Sequence, residues 1–148
     1  MFPKLEDSAG YMTNRAARLF VRAIDARLKP VGFSVGHMPV LMALADGSER
    51  TQKALAAVAS TEQPTMAATL ARMERDGLVA RRPDPSDGRA ALFSLTPLAL
   101  ARIPAMRDAA LAVNAKALSR LEAGERRLFL DMLGRVAGAL IEEIGEDR

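Results

Sequence analysis

The side chains that most often carry out catalysis are scarce in this chain. Its 148 residues include one histidine, His37, and no cysteine. General acid–base and nucleophilic catalysis need such a group beside an orienting partner. The sequence also lacks a glycine-rich phosphate loop and a cluster of metal-ligating residues. We therefore predict that the chain is not an enzyme and binds no metal or other cofactor.

Polar side chains that follow a short turn are candidates for a different chemistry, the recognition of DNA. Gln63, Thr65 and Thr69 lie near the start of a predicted helix over residues 63–75, with Arg72 one turn further on. Apolar residues occupy the opposite face at spacings of four and three, which would anchor the helix to a core. The alternative is that these polar residues are simply the solvent face of an ordinary amphipathic helix.

Periodicity and turn residues place this helix fourth among six, with a hairpin between the fourth and the fifth. The predicted helices cover residues 5–28, 35–45, 52–59, 63–75, 97–119 and 123–144. Two strand-like runs, residues 78–82 and 90–95, flank a loop of turn-forming residues. The pattern predicts a mainly α protein with a small β-hairpin wing (α+β). Two helices joined by a short turn and followed by a hairpin form an arrangement that reads duplex DNA.

The hairpin carries arginines where a wing would meet phosphates and the minor groove. Arg81 and Arg82 lie at its base and Arg89 near its tip. Asp87, two residues before Arg89, could hold that side chain extended. The alternative is a solvated pair in a turn, which contributes little energy.

Residues 51–97, TQKALAAVASTEQPTMAATLARMERDGLVARRPDPSDGRAALFSLTP, resemble the core of the MarR family (multiple antibiotic resistance regulators). The N-terminal AARLFVRAIDARLKPVGFSVG is similar to that family's first dimerisation helix and loop. The resemblance implies a single domain over residues 1–148, with a winged helix-turn-helix lobe at 33–97. Residues 1–32 with 98–148 would form a helical dimerisation lobe. The expected protein is a homodimeric transcriptional regulator that binds a pseudo-palindromic operator.

The resemblance also implies which residues face DNA. On the recognition helix they are Gln63, Pro64, Thr65, Thr69 and Arg72, and on the hairpin they are Arg89 and the supporting Asp87. The position of Arg81 at the base of the hairpin adds it to the predicted DNA-binding residues. Ala67, Ala68, Gly88 and Ala91 depart from the polar or charged residues of many relatives. These departures imply fewer phosphate contacts, and so a weaker salt dependence than that of a strongly basic relative.

The first predicted helix carries Arg15, Arg18 and Arg22 on one face. They would either pair with acidic residues of a partner's last helix or form a wall for an anionic ligand. Since the family is known for aromatic-acid ligands, the resemblance implies a repressor released by a small aromatic or phenolic anion. The candidate ligand residues are Arg15, Arg22, Phe33 and His37, although His37 is better explained as a partly buried polar side chain.

The charge balance by itself does not identify a DNA-binding protein. The chain has 21 basic and 18 acidic residues, a net charge of +3. A helical protein-interaction module without DNA binding therefore stays as the alternative function, and it would show no salt-sensitive association with duplex DNA. With no secretory signal and no apolar run of about 18 residues, we expect a cytoplasmic protein with no membrane partner. Apolar stripes on the terminal helices predict a homodimer: Met12, Leu19, Ala23, Leu133, Leu140 and Ile144.

Overall fold

The structure is a computed structural model that describes residues 4–145. Its helices and strands are α1 (Ala9–Leu28), α2 (Met38–Leu44), β1 (Arg50–Thr51), α3 (Gln52–Val58), α4 (Gln63–Arg75), β2 (Val79–Asp84), β3 (Asp87–Leu95), α5 (Pro97–Ala117) and α6 (Ala123–Ile144). The chain divides within α5 into two compact units, one ending at Leu111 and the other beginning at Ala112. Each unit is described by itself.

The expected fold class is confirmed, and the sheet is larger than expected. Three antiparallel strands lie in the order β1-β3-β2. The short strand β1 was not predicted, because two residues are too few to show a period; it pairs Arg50 with Phe93 and Thr51 with Leu92. The hairpin strands also extend further than predicted, to Asp84 and Asp87, so the loop between them is only two residues long.

The ends of the first two helices differ from the prediction for local reasons. Ser8 caps α1 by accepting a hydrogen bond from the Tyr11 N–H at 3.3 Å, so the helix begins at Ala9. Residues Leu5–Asp7 form a separate 3-10 turn before it. The second helix likewise starts as a 3-10 turn, Val35–His37, and becomes α-helical only at Met38.

The helix-turn-helix consists of α3 and α4. The Thr51 hydroxyl accepts the Ala54 N–H at 3.2 Å and so caps α3, as a threonine before a helix commonly does. Pro64 lies in the first turn of α4, where its missing N–H costs nothing. Gly77 has φ +70°, the left-handed conformation that ends a helix, and the Leu78 N–H bonds back to the Met73 carbonyl at 2.8 Å.

The core of the first unit fixes the orientation of α4. Its apolar face, Met66, Leu70 and Met73, is buried. These side chains belong to one cluster with residues of α2, α3, the sheet and α5, including Leu41, Leu44, Leu55, Phe93, Leu95 and Ile103. Burying one such side chain stabilises the fold by about 1.5–3 kcal/mol. Turning α4 about its axis would lose several of these contributions, so its opposite edge is held towards solvent.

Thr96 joins the end of the sheet to both α4 and α5. Its hydroxyl donates a hydrogen bond to the Gly77 carbonyl at 2.7 Å and accepts one from the Ala99 N–H at 3.2 Å. The same hydroxyl therefore caps α5 and holds the residue that follows α4. Movement of the start of α5 would be transmitted to the C-terminal end of α4 through this contact.

The second unit contains α6, a helix with no buried residue in the isolated chain. It begins with a reciprocal cap in which the Glu125 carboxylate accepts the Glu122 N–H at 2.8 Å. Its large exposed apolar side chains are Leu128, Phe129, Leu130, Met132, Leu133, Val136, Leu140 and Ile144. Over the part of the chain that the structure describes, no helix is long and apolar enough to cross a membrane.

Candidate nucleic-acid interface

The N-terminal edge of α4 carries the polar residues expected to meet DNA. Gln63, Pro64 and Thr65 are all exposed. Thr69 differs from the expectation, because it is buried and its hydroxyl donates to the Thr65 carbonyl at 3.1 Å. A hydroxyl bonded back to the preceding turn satisfies itself within the helix. Thr69 therefore lies on the packed side of α4 and not at its exposed edge.

Arg72 lies one turn beyond the exposed edge and is itself exposed. Its Nη2 is 3.5 Å from the Thr69 hydroxyl oxygen, at the long limit of a hydrogen bond. Thr69 thus contacts Arg72 from the packed side of α4, which the sequence pattern alone did not indicate.

The two arginines at the base of the wing are both paired with carboxylates. Arg81 Nε lies 3.4 Å from Glu74 Oε1, which connects β2 to α4. Arg82 Nε donates to Glu49 Oε1 at 2.8 Å. This hydrogen bond holds the pKa of Glu49 below its usual range and raises the pKa of Arg82 above its own. Both arginines therefore fasten the wing to the rest of the unit.

The tip of the wing is held by short-range hydrogen bonds to its backbone. Asp87 Oδ1 accepts the backbone N–H of Arg89 at 3.0 Å, so the acid fixes the main chain and not the guanidinium, contrary to the expectation. Asp84 accepts the Ser86 N–H at 2.9 Å and its hydroxyl at 2.7 Å, and these bonds lower the pKa of Asp84. The Arg89 side chain is exposed, and within residues 4–145 no carboxylate lies within 4.0 Å of it.

A groove of about 370 Å³ lies between the wing and the first residues of α3 and α4, and we call it the wing groove. It is lined by Thr51, Gln52, Lys53, Gln63, Arg81, Arg89, Ala90, Ala91 and Phe93. The fold thus brings together three predicted site residues, Gln63, Arg81 and Arg89. Three lining residues are cationic and none is acidic. Such a surface suits a polyanion.

Sequence reasoning missed two residues of the wing groove, Gln52 and Lys53. They follow the N-cap Thr51, and they reach the groove because β1 pairs with β3. Gln52 Nε2 also donates to the Gln63 carbonyl at 3.4 Å, which joins the first residues of α3 and α4. The sequence did not predict β1, so it could not indicate that these two residues reach the groove.

Comparison with known proteins agrees with this geometry. The model of the MarR family matches residues 31–90. A probable transcriptional regulator from Pseudomonas aeruginosa is 25% identical, with 90% of this chain and 99% of that chain covered and a TM-score of 0.81. The repressor CouR, solved on a 23-mer DNA duplex, is 25% identical, with 93% and 99% covered and a TM-score of 0.79. Over residues 31–90 this chain therefore matches the MarR family, and nearly its whole length is similar to these solved regulators.

A further solved relative shares the fold at lower identity. PcaV from Streptomyces coelicolor, in complex with its natural ligand, is 24% identical, with 95% of this chain and 99% of that chain covered and a TM-score of 0.79. The matched family model and these structures support a winged-helix, DNA-binding transcriptional regulator. MarR regulators are non-enzymatic, which agrees with the prediction that the chain is not an enzyme.

The four residues predicted to bind a ligand have different surroundings in this structure. Arg15 and Arg22 are exposed on α1. Phe33 is only 3% exposed and belongs to the apolar core, so its ring does not form an accessible pocket wall. His37 is half-buried in the 3-10 turn before α2. In residues 4–145, no three His, Asp or Glu side chains come together as a metal site.

His37 has a structural role that explains its partial burial. Its Nδ1 accepts the Ser34 N–H at 3.2 Å, which requires that nitrogen to be unprotonated. Burial lowers the pKa of His37, and Arg72 lowers it further, whereas Asp76 and Asp25 act in the opposite direction. In its neutral form His37 therefore stabilises the turn between α1 and α2. It lies near Asp76, the residue that follows α4.

Proposed function

We propose that this chain is a MarR-family member and acts as a homodimeric repressor on a pseudo-palindromic operator. The exposed start of α4 would enter the major groove, and the wing would reach the adjacent minor groove with Arg89. The observation that carries the proposal is the wing groove, because it sets Arg89, which has no carboxylate partner within residues 4–145, beside the polar edge of α4 with no acidic lining residue. Cationic and polar side chains of this kind are those that contact the phosphates of DNA.

The exposed residues of α4 have the chemistry needed to read base edges. A glutamine amide matches adenine, an arginine fork matches guanine, and a threonine methyl contacts thymine. Gln63, Thr65 and Arg72 supply these three groups, and Pro64 keeps the helix start fixed. Arg81 and Asp87 contribute by holding the wing in place. Thr69 is left out of the direct contacts, since it is buried.

Dimerisation would present two copies of α4 to one face of the duplex. Two recognition helices must lie about one turn of DNA apart, roughly 34 Å, to read two half-sites. The exposed apolar side chains of α1 and α6, among them Met12, Leu19, Leu133 and Leu140, support a second copy as their covering surface. Monomeric proteins rarely leave a large contiguous apolar patch exposed to solvent.

We further propose that a small aromatic or phenolic anion releases the protein from its operator. The relative PcaV was solved with its natural ligand. In this chain the exposed guanidinium groups of Arg15 and Arg22 could pair with a carboxylate or phenolate. A ligand that favours a different spacing of the two α4 helices would lower operator affinity, and the operator would weaken ligand binding by the same factor.

The experiment is a titration of duplexes from the intergenic regions beside the gene, followed by competition. We expect tight, salt-sensitive binding to a duplex that contains a palindrome, and loss of that complex with one of a set of aromatic carboxylates and phenols. Absence of salt-sensitive binding to any duplex would favour a protein-interaction module. The protein could bind a duplex while no compound that raises its melting temperature also displaces the DNA. That result would limit the function to a regulator controlled by its own abundance.

A further inference from the structure

The wing groove contains two cations that the fold leaves without a carboxylate partner. Of its three basic lining residues, Arg81 is paired with Glu74 at 3.4 Å. Lys53 and Arg89 are exposed, and no carboxylate among residues 4–145 lies within 4.0 Å of either charged group. Two unpaired charges of one sign facing a groove repel each other, so an anion bound there would relieve the repulsion.

The walls that present these cations are held in place by backbone contacts. Thr51 pairs with Leu92 of β3 and also caps α3, so Lys53 is fixed relative to the wing sheet. Arg89 lies three residues from Leu92 along β3, which is about 10 Å of backbone at the rise of an extended strand. Lys53 on α3 and Arg89 on β3 therefore start from separate positions along the groove, and we call the stretch between them the track.

A bound duplex would have to place one particular part of its structure in this track. With α4 in the major groove and the wing in the adjacent minor groove, the sugar–phosphate backbone between the two grooves passes between α4 and the wing. The wing groove lies between the wing and the first residues of α3 and α4. Consecutive charges of one DNA strand lie about 3.4 Å apart along the helix axis, so cations at separate points of the groove would face different phosphates of that strand.

We propose that Lys53 and Gln52 bind phosphates of the DNA strand that separates the two grooves, with Arg89 at the other end of the same track. This inference rests on the proposed DNA-binding function and adds a phosphate subsite to it. The Lys53 ammonium neutralises a phosphate as a point charge. The Gln52 amide, already bonded to the Gln63 carbonyl, offers a second hydrogen to the strand while keeping α3 and α4 together.

Lysine at this site would contribute affinity without sequence preference. Contacts to phosphate position a protein on the duplex and carry no information about the bases. Each neutralised phosphate adds about 0.9 to the magnitude of the slope of log affinity against log salt concentration. Loss of the Lys53 charge should therefore reduce that slope by about 0.9 and weaken binding to every duplex by a similar factor.

The test compares Lys53→Gln with Lys116→Gln, which removes the same charge from an exposed lysine near the end of α5. Affinity for the operator and for a scrambled duplex is measured by fluorescence anisotropy between 50 and 200 mM salt, roughly the range where phosphate contacts dominate. We expect Lys53→Gln to lose slope on both duplexes with an unchanged operator preference. Lys116→Gln should match the wild type, and all three proteins should melt at the same temperature.

Two outcomes would overturn the assignment. An unchanged slope for Lys53→Gln while Arg89→Ala is weakened would show that Lys53 binds no phosphate, although the DNA-binding function stands. A loss confined to the operator would make Lys53 a base-reading residue. Failure of the wild type to bind any duplex would instead overturn the proposed function itself.

Discussion

Glu49 and Arg82 form a two-point ion pair that spans the wing sheet. Arg82 Nε donates to Glu49 Oε1 at 2.8 Å and Nη2 donates to Oε2 at 2.5 Å. Glu49 directly precedes β1 and Arg82 lies on β2, with β3 between the two strands. The fork of two parallel hydrogen bonds fixes orientation as well as distance. The pair therefore sets the position of the wing and neutralises one of its arginines.

Glu49→Gln should loosen the wing and raise affinity for DNA of any sequence. The amide cannot compensate the Arg82 charge, so the freed guanidinium becomes available to phosphates. We expect about a two- to threefold tighter binding to a scrambled duplex, because an exposed ion pair is weak. Glu142→Gln on α6 removes an equal charge far along the sequence and is the matched control. If both variants gained affinity for the scrambled duplex equally, the cause would be only the change in net charge.

Arg89→Ala should weaken operator binding by about tenfold near physiological salt, since an arginine in a narrow minor groove meets enhanced negative potential. Its side chain is exposed and forms no ion pair within the described residues, so the melting temperature should stay unchanged. Arg89→Lys keeps the charge but loses the planar guanidinium fork. Its operator affinity should therefore lie between those of the wild type and Arg89→Ala. Wild-type affinity in Arg89→Ala would remove the wing from the interface.

The stability of the protein should fall as His37 becomes protonated. Burial lowers the pKa of His37 in the folded chain, so the unfolded chain takes up the proton first, near pH 6.5. Between the two pKa values the unfolded state binds more protons, and the free energy of unfolding rises with pH. The contribution is therefore complete above about pH 6.5 and is lost as the pH falls through the folded-state pKa.

His37→Gln provides the measurement for this dependence. Glutamine offers a side-chain oxygen to the Ser34 N–H but does not titrate, so the cap is kept at every pH. Thermal unfolding of both proteins from about pH 7.5 to 5 should show a steeper loss in the wild type. Parallel curves would mean that other groups cause the whole pH dependence.

Leu140→Asp should convert the homodimer to a monomer of 15.9 kDa. Leu140 is 59% exposed in the isolated chain, so the substitution leaves the protomer intact but places a charge in the proposed interface. Met42→Asp is the control, because Met42 is 65% exposed on α2, outside the terminal helices. Sedimentation at micromolar concentration distinguishes the two forms. A wild type that sediments as a monomer would contradict dimerisation altogether.

Local sequence features were sufficient to predict α4 and α6 at the bounds that the structure has. Proline in the first turn and glycine at the left-handed position enclose α4, and a single apolar period runs between them. These effects act over a few residues, so the neighbouring elements are not needed to recognise them. The prediction that Gln63 and Arg89 face DNA came from the order of the elements and from the family resemblance, and it stays a prediction.

Contacts between distant segments could not be predicted in the same way. Thr69 shares the polar character of Gln63 and Thr65, but the packing of α4 against the core turns it inward, where it bonds to its own helix. Phe33 was expected at a ligand pocket and instead fills the core. In both cases the residue type is compatible with either environment, and burial by other elements selects one.

The sequence by itself determined the helices, the hairpin and the kinds of side chain available to meet DNA, because propensity, caps and apolar period are properties of neighbouring residues. Only the tertiary structure decided which cations are free. Arg81, Arg82 and Arg89 look alike along the chain, yet Glu74 and Glu49 pair with the first two. Coulomb attraction depends on distance in space, and the fold alone sets the separation between charges that are far apart in sequence.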